Sequence, residues 1–316
     1  MQPDVSFVIA AYNAELTLGR AIDSALAQQG VSVEVVVVDD RSTDGTLEIA
    51  RAHSDPRVRV VALKSNCGPG GARNAGLDAA LGRWVAVLDS DDTVRPERLA
   101  AMIACAEKRG AAMAVDNLEV IREDGTTLDV MFSGDFLEGL GQLSLADFIA
   151  GNLVFESTFN FGYMKPIFLR GYLDGHGLRY DESLRIGEDY VLLASALARG
   201  GGCAVEPAVG YSYHVLQGSI SRVLKLPHVE AMQRADRIFA EVNSLDVAAR
   251  EAFTLRTRSL EQAATFLSLV EHIKSRSPLK AVRTALGNPS AVRHLRMPIA
   301  VRLQRLAQQF ASRSGR

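Results

Sequence analysis

Arg83-Trp84-Val85-Ala86-Val87-Leu88-Asp89-Ser90-Asp91-Asp92, "RWVAVLDSDD", is the stretch on which the fold turns. Its first half is a short apolar run, as expected of a strand buried on both faces. Its second half puts three carboxylates within four positions. Negative charge crowded this closely costs free energy unless something positive neutralises it. The strand must therefore end where a cation is supplied. In an open parallel sheet that place is the crevice beyond the carboxyl ends of the strands, where ligands bind.

The same pattern recurs upstream. "VSFVIAAY" (Val5–Tyr12), "VEVVVVDD" (Val33–Asp40) and "RVRVVAL" (Arg57–Leu63) read as strands, and Leu16–Gln28, Thr46–His53 and about Gly71–Leu81 read as helices between them. Asp44 is placed to cap the second helix. A further helix spans Pro96–Arg109. This alternation predicts an α/β fold, a doubly wound and mostly parallel sheet. Tyr12-Asn13, Asp39-Asp40, Asn66 and Asp89–Asp92 would gather at one crevice. Beyond the fourth helix the pattern loosens. Asp116–Ser144, with a hairpin-like "REDGTTLDV" and glycine-rich turns, reads as a flexible flap. "FNFGYMKPIFLRGYL" (Phe159–Leu173) is aromatic and basic. "LRIGEDYVLLASALARGG" (Leu184–Gly201) sets an acidic pair at a helix start, and "AVEPAVGYSYH" (Ala204–His214) reads as strand again. From His228 onward helices dominate, without internal repeats.

The 316 residues are 47% hydrophobic, enough for a substantial core. The three cysteines, Cys67, Cys105 and Cys203, lack zinc or disulfide spacing and point to a reducing compartment. The N-terminus lacks a basic leader region, and no apolar run reaches the ~20 residues of a membrane-spanning helix. The net charge of −2 hides an asymmetry. From His272 to the end there are ten Lys and Arg and no acid, leaving 25 basic against 37 acidic side chains before it. A basic tail on an acidic body suits a polyanionic surface.

Taken singly, each polar constellation has two readings. Asp89-Ser90-Asp91 has the Asp-x-Asp spacing that suits a divalent cation holding a phosphate; an acidic turn capping the next helix would look the same. "SNCGPGGARNAG" (Ser65–Gly76) is a glycine-rich strand-to-helix turn without the P-loop or dinucleotide register. Arg73 could reach a phosphate from it, or be solvated. Asp39 could accept from a base or ribose. An aspartate pair at a strand end also suits a phospho-accepting receiver module, although such a module wants the pair on its first strand. Glu188-Asp189 could be an ordinary helix start, and His214 an ordinary structural histidine.

Together and in order, "IAAYNAELTLGRAIDSALAQ", "VVVVDDRSTDGT", "NCGPGGARNAGLDAALGRWVAVLDSDD", "GED" and "YSYHVLQGSIS" resemble glycosyltransferase family 2, inverting enzymes of the GT-A fold. The match runs from about Val5 to Ser221. The family usually has proline where this chain has Ala10 or Ala11. Bacterial members that build exopolysaccharide repeat units look most similar.

That resemblance implies roles. Ala11, Tyr12 and Asn13 would lie by the nucleotide base, with the Tyr12 ring stacking. Asp39 would accept the base imide hydrogen, favouring uracil. Arg73 would sit near the base or diphosphate. Asp89 and Ser90 would face the ribose or metal. Asp91 would be the principal ligand of Mn2+ or Mg2+, with Asp92 near the donor sugar. Asp89 and His214 would complete the metal set. Such an ion would be the positive partner of the acidic turn. Asp189 would be the general base, with Glu188 orienting the acceptor. Ser219, Ser221 and Arg222 would close over the diphosphate. Phe161 and Tyr163 would stack on acceptor sugars or lie in the core.

The implied enzyme takes a UDP-sugar, UDP-glucose among the candidates, to a saccharide or lipid-linked oligosaccharide in exopolysaccharide biosynthesis. A catalytic domain would span 1–225, with a donor half to about 115 and an acceptor half from 116. Residues 226–316 would form a helical, basic extension. Within it Leu295, Ile299, Leu303 and Leu306 recur at helical spacing, as in an amphipathic helix on the inner face of the cytoplasmic membrane; packing on the body or on a homodimer partner is the other reading. Nucleic acid is disfavoured because the body is acidic. A nucleotidyltransferase would want a basic triphosphate loop where only Arg73 is offered, and a receiver-like signalling module would be phosphorylated at Asp39 or Asp40.

Overall fold

The computed structural model describes residues 2–122, 124–156, 160–215 and 224–295. It opens with β1 (Val5–Ala11), α1 (Leu18–Leu26), β2 (Val33–Asp39), α2 (Thr46–Ala52), β3 (Val58–Ala62), α3 (Gly68–Ala79) and β4 (Trp84–Val87). β5 (Thr93–Val94), α4 (Arg98–Lys108), β6 (Met113–Ile121), β7 (Thr127–Val130), α5 (Gly134–Leu140) and α6 (Leu145–Ala150) follow. Then come β8 (Ile167–Leu169), α7 (Arg170–Gly175), α8 (Glu188–Ala198) and β9 (Cys203–His214). The C-terminal part is α9 (Leu226–Val242), α10 (Val247–Lys274), α11 (Pro278–Gly287) and a 3-10 turn over Pro289–Leu295.

Among the described residues the strands form one sheet in the order β3-β2-β1-β4-β8-β6-β9-β5, with β7 pairing β6. β1, β2, β3 and β4 are mutually parallel. β8 enters antiparallel between β4 and β6, and β6 runs parallel to β9. The expected doubly wound, mostly parallel sheet is therefore present, with helices behind it. β2 is buried along its whole length and β1 along almost all of it, as continuous apolar strands between helix layers must be. α1 turns Leu18, Ala21, Ile22 and Ala25 inward at helical spacing. α3 can lie close on the sheet because Gly76 has no side chain; a Cβ there would fall 2.3 Å from Val8 Cγ1. Asp44 does what a cap does one residue early: its carboxylate accepts from the Thr46 amide at 3.1 Å and hydroxyl at 2.5 Å.

The segment expected as a flap from Asp116 is not one at its start. Asp116–Ile121 lies within β6, in the middle of the sheet. Asp116 is buried there because Arg98, on α4, pairs with it through two hydrogen bonds of 2.8 and 2.9 Å. β7, by contrast, is exposed along its whole length. β6 also runs through the 115/116 boundary, so both halves of the catalytic body share one sheet. The C-terminal helices pack on that body: α10 lies against α6, and Arg256 reaches Asp236 at 2.8 Å, the Asn152 carbonyl at 2.8 Å and the Tyr190 ring face at 3.5 Å. Ile299, Leu303 and Leu306 of the expected amphipathic helix lie outside the described residues; Leu295 ends the 3-10 turn.

Candidate active site

β1, β2 and β4 end side by side, so their polar termini form one rim. β4 delivers Asp89 two residues past its end. Arg73, in the second turn of α3, points into the same place. Its Nη2 donates to Asp89 Oδ1 at 2.7 Å, and its Nη1 to Glu188 Oε1 at 2.6 Å, with Asp189 Oδ1 at 3.2 Å. Lys165, just before β8, closes the cluster. Its Nζ lies 2.8 Å from Asp89 Oδ2 and 2.9 Å from Asp189 Oδ2. The "GED" step brings the acids here. Gly187 adopts φ +91, a left-handed turn only glycine takes freely, and Glu188-Asp189 then open α8. Asn74 fastens the preceding loop, donating to the Tyr180 carbonyl and to Glu182, each at 3.0 Å.

The charges respond to one another. Burial works against the Arg73 charge, but Asp189, Asp89 and Glu188 outweigh it and raise the pKa of the guanidinium. Lys165 is likewise held protonated against burial by Asp189 and Asp89. Burial pushes the Asp89 carboxyl up, yet Lys165 and Arg73 outweigh it and hold the group well below the usual carboxylate range. Glu188 goes the other way, raised by burial and by the charge of Asp189.

The three acids of the turn thus meet three different surroundings. Asp89 is neutralised by the protein's own cations, which corrects the expectation that one bound ion offsets all three. Asp92, expected by the donor sugar, is 1% exposed. One of its oxygens accepts from the Tyr211 hydroxyl at 2.8 Å and the other from the His214 amide at 2.7 Å, so it ties the turn to β9. Asp91 is left over. Among the described residues its carboxylate receives no donor from another residue, and burial followed by the charge of Asp89 raises its pKa. Arg20 of α1 instead donates to the Asp91 carbonyl at 2.8 Å, fixing the turn.

The expected set of Asp89, Asp91 and His214 does not come together: among the described residues no group of three or more His, Cys, Asp and Glu could hold an ion. The His214 Nε2 sits 3.0 Å from the Thr93 hydroxyl. A partnerless carboxylate with a raised pKa nevertheless fits a hard cation that brings other oxygen ligands with it.

The remaining expected residues divide. Tyr12 is 50% exposed at the rim with its ring open. Asp39 is buried, with its carboxylate 3.4 Å from the Ser42 amide. Ser90 is half-buried in the turn. Ala11 and Asn13 are scaffold: Ala11 is in the core, its carbonyl accepting from Asp40, and Asn13, at φ 52, accepts from the Thr43 amide at 2.9 Å. Asp40 accepts from the Cys67 and Gly68 amides at 2.6 and 2.8 Å, sealing the start of α3. With those amides taken, this glycine-rich turn is no triphosphate cradle. Phe161 is core, packed on Phe132 and Phe136, while Tyr163 lies edge-on to Tyr213. Ser219, Ser221 and Arg222 lie outside the described residues. Sequence reasoning missed Lys165 and Arg20. The aromatic, basic character of Phe159–Leu173 was the available signal for the first; nothing marked the second.

A family model for glycosyl transferase family 2 matches residues 6–170, just over half of the chain. The succinoglycan biosynthesis protein ExoO of Rhizobium meliloti (strain 1021) is 58% identical over 313 residues, covering 99% of this chain and 90% of its own length. S. aureus TarS 1-349 in complex with UDP-GlcNAc has the same fold, with a TM-score of 0.61 at 19% identity over 91% of this chain and 92% of that one. So has the mannosyltransferase PcManGT from Pyrobaculum calidifontis in complex with GDP-Man and Mn2+, with a TM-score of 0.60 at 16% identity over 96% and 81%. The chain therefore belongs to glycosyltransferase family 2: it is a nucleotide-sugar-dependent glycosyltransferase of the GT-A fold.

Proposed function

We propose that this chain moves a hexose from a UDP-sugar to a hydroxyl of a saccharide or lipid-linked oligosaccharide during exopolysaccharide assembly, of the succinoglycan kind for which its 58% identical relative is named. The carrying observation is the Arg73–Lys165 bridge, which holds the donor-side Asp89 and the α8 carboxylates in one cluster.

In this reading the donor half, to about residue 115, offers Tyr12 for stacking on the base and Asp39 for its imide hydrogen. The acceptor half, from about 116 to 225, offers Asp189. A sugar hydroxyl is a poor nucleophile, and Asp189 takes its proton as it attacks the anomeric carbon from the face opposite the diphosphate, inverting that centre. Glu188, held by Arg73, orients the acceptor. Asp91 would hold Mn2+ or Mg2+ together with oxygen ligands that the nucleotide brings. Bound with the nucleotide, such an ion supplies positive charge to the departing diphosphate. Arg73 and Lys165 are the protein's own cations at that point. A lipid-linked acceptor would be met at the inner face of the cytoplasmic membrane through the basic region 226–316.

Calorimetric titration with UDP, GDP and TDP, with and without Mn2+, tests the donor site. UDP binding that needs Mn2+ and disappears in Asp91→Ala is the expected result. Absence of binding to every nucleotide diphosphate by the folded protein would overturn the reading.

A further inference from the structure

α11 wears its amphipathic face outward. Leu279, Val282 and Leu286 recur at i, i+3 and i+7 and form one stripe, yet they are 86%, 58% and 74% exposed, and no residue of the helix is buried. The side turned toward α10 is small and polar instead. Thr284, Gly287 and Asn288 line a cleft of about 490 Å³ with Glu261, Thr265 and His272. Ile273, in the last turn of α10, adds another exposed apolar side chain. A helix that only completed a domain would pack its leucines and wet its threonine.

Around the stripe stand cations without acids. Lys274, Arg276, Lys280 and Arg283 are all exposed, and among the described residues none of them has an ion-pair partner. Only Arg293, further on, is paired, with Glu156. No Asp or Glu occurs from residue 272 onward.

We infer that the Leu279–Val282–Leu286 face of α11, with its rim of Lys274, Arg276, Lys280 and Arg283, docks on anionic membrane lipid. Charge selects this occupant. The rest of the chain, 296–316, brings five arginines and no acid, so laying it here would press cations on cations. Two copies meeting through this face would do the same. Anionic headgroups neutralise the rim while the leucines enter the headgroup–acyl boundary. The inference rests on the membrane-facing reading above and gives that contact a location, distinct from the sugar-transfer chemistry.

The test is co-sedimentation of the full-length chain with phosphatidylcholine vesicles, with and without phosphatidylglycerol. Binding to the anionic vesicles alone is expected, weakening with salt. Each cation near such a surface is worth about fivefold in partitioning, so Lys280→Ala with Arg283→Ala should lower binding by about 25-fold. Leu279→Ser with Leu286→Ser should lower it by at least ~10-fold. These side chains are exposed, so UDP titration should be unchanged in both variants. Wild-type protein left in the supernatant with both vesicle types would overturn the proposal. So would binding that neither variant alters, or a dimer in ultracentrifugation that the leucine variant dissociates without any vesicle binding. Loss of UDP binding in the wild-type chain would instead count against the transferase reading and leave the vesicle result standing.

Discussion

Arg98 and Arg73 are both buried guanidiniums held by carboxylates, and they do opposite things. Arg98 meets one acid, Asp116, through two hydrogen bonds; both side chains are sealed, at 0% and 1% exposure, and the guanidinium covers the Tyr211 ring. Charge is balanced and nothing can enter. Arg73 and Lys165 share three acids, and two of these, Asp89 and Asp189, keep 25% and 20% of their side chains open. There the count is unbalanced and one side faces solvent. A closed one-to-one pair holds the sheet together; an open cluster with surplus acid can still exchange partners with a ligand. The Arg256–Asp236 pair, 5% exposed on each side, belongs with the first kind.

That contrast can be broken experimentally. Asp189→Asn removes the proposed base and should cut transfer by roughly 10²–10⁴-fold. UDP binding by calorimetry should be unchanged and the denaturant midpoint nearly so. Asp116→Ala should do the reverse. An uncompensated buried Arg98 costs about 3–5 kcal/mol, visible in urea unfolding. If the two substitutions cost equal stability, the distinction between sealed and open clusters fails. Tyr12→Ala tests the rim more gently: loss of ring stacking on a base, worth about 1–3 kcal/mol, should weaken UDP binding by roughly 5- to 150-fold without moving stability.

The smallest effect is a pH dependence, and its sign follows from the carboxyls of the turn. Asp91 is raised, so protons compete for it early; metal-dependent UDP affinity should begin to fall while the pH is still above the ordinary carboxylate value of ~4. Asp89 is depressed. Its ion pairs contribute stability fully above ~4 and lose it only as the pH falls through the lower folded value. Binding should therefore fade before the fold does. Simultaneous loss would mean that the two carboxyls titrate as one unit.

The parallel half of the fold was legible because β1, β2 and β4 are short runs dominated by apolar residues, whose signal is local. β6 was not, since "DNLEV" carries three polar residues, of which Asp116 and Asn117 are tolerable inside only because Arg98, 18 residues earlier, and the Phe132 carbonyl meet them. α3 begins at Gly68, three residues before the expected start, with proline in its first turn. β8 has three residues, too few for any periodicity. In the site, Arg73, Asp89, Glu188 and Asp189 were readable as types in a familiar order. Lys165 was not, because a single lysine has no pattern and acquires its place only through β8. Ala11, Asn13 and Asp92 show what motif order does not carry: the first is in the core, and the other two have side chains hydrogen-bonded within the protein.

The insertion of β8 between β4 and β6 has a consequence for biosynthesis. As the chain leaves the ribosome, β1 to β6 are complete well before residue 167, and until then the outer edge of β4 has no neighbour. An unpaired, apolar strand edge recruits other chains. β8 covers that edge, and the same few residues carry Lys165 to Asp89. The remaining link, from Arg73 to Glu188, spans 115 positions and closes later still, as long-range contacts do. The edge of β4 is thus covered before the charged cluster can close, whereas the far edge of β6 waits for β9, which follows Glu188 in the chain.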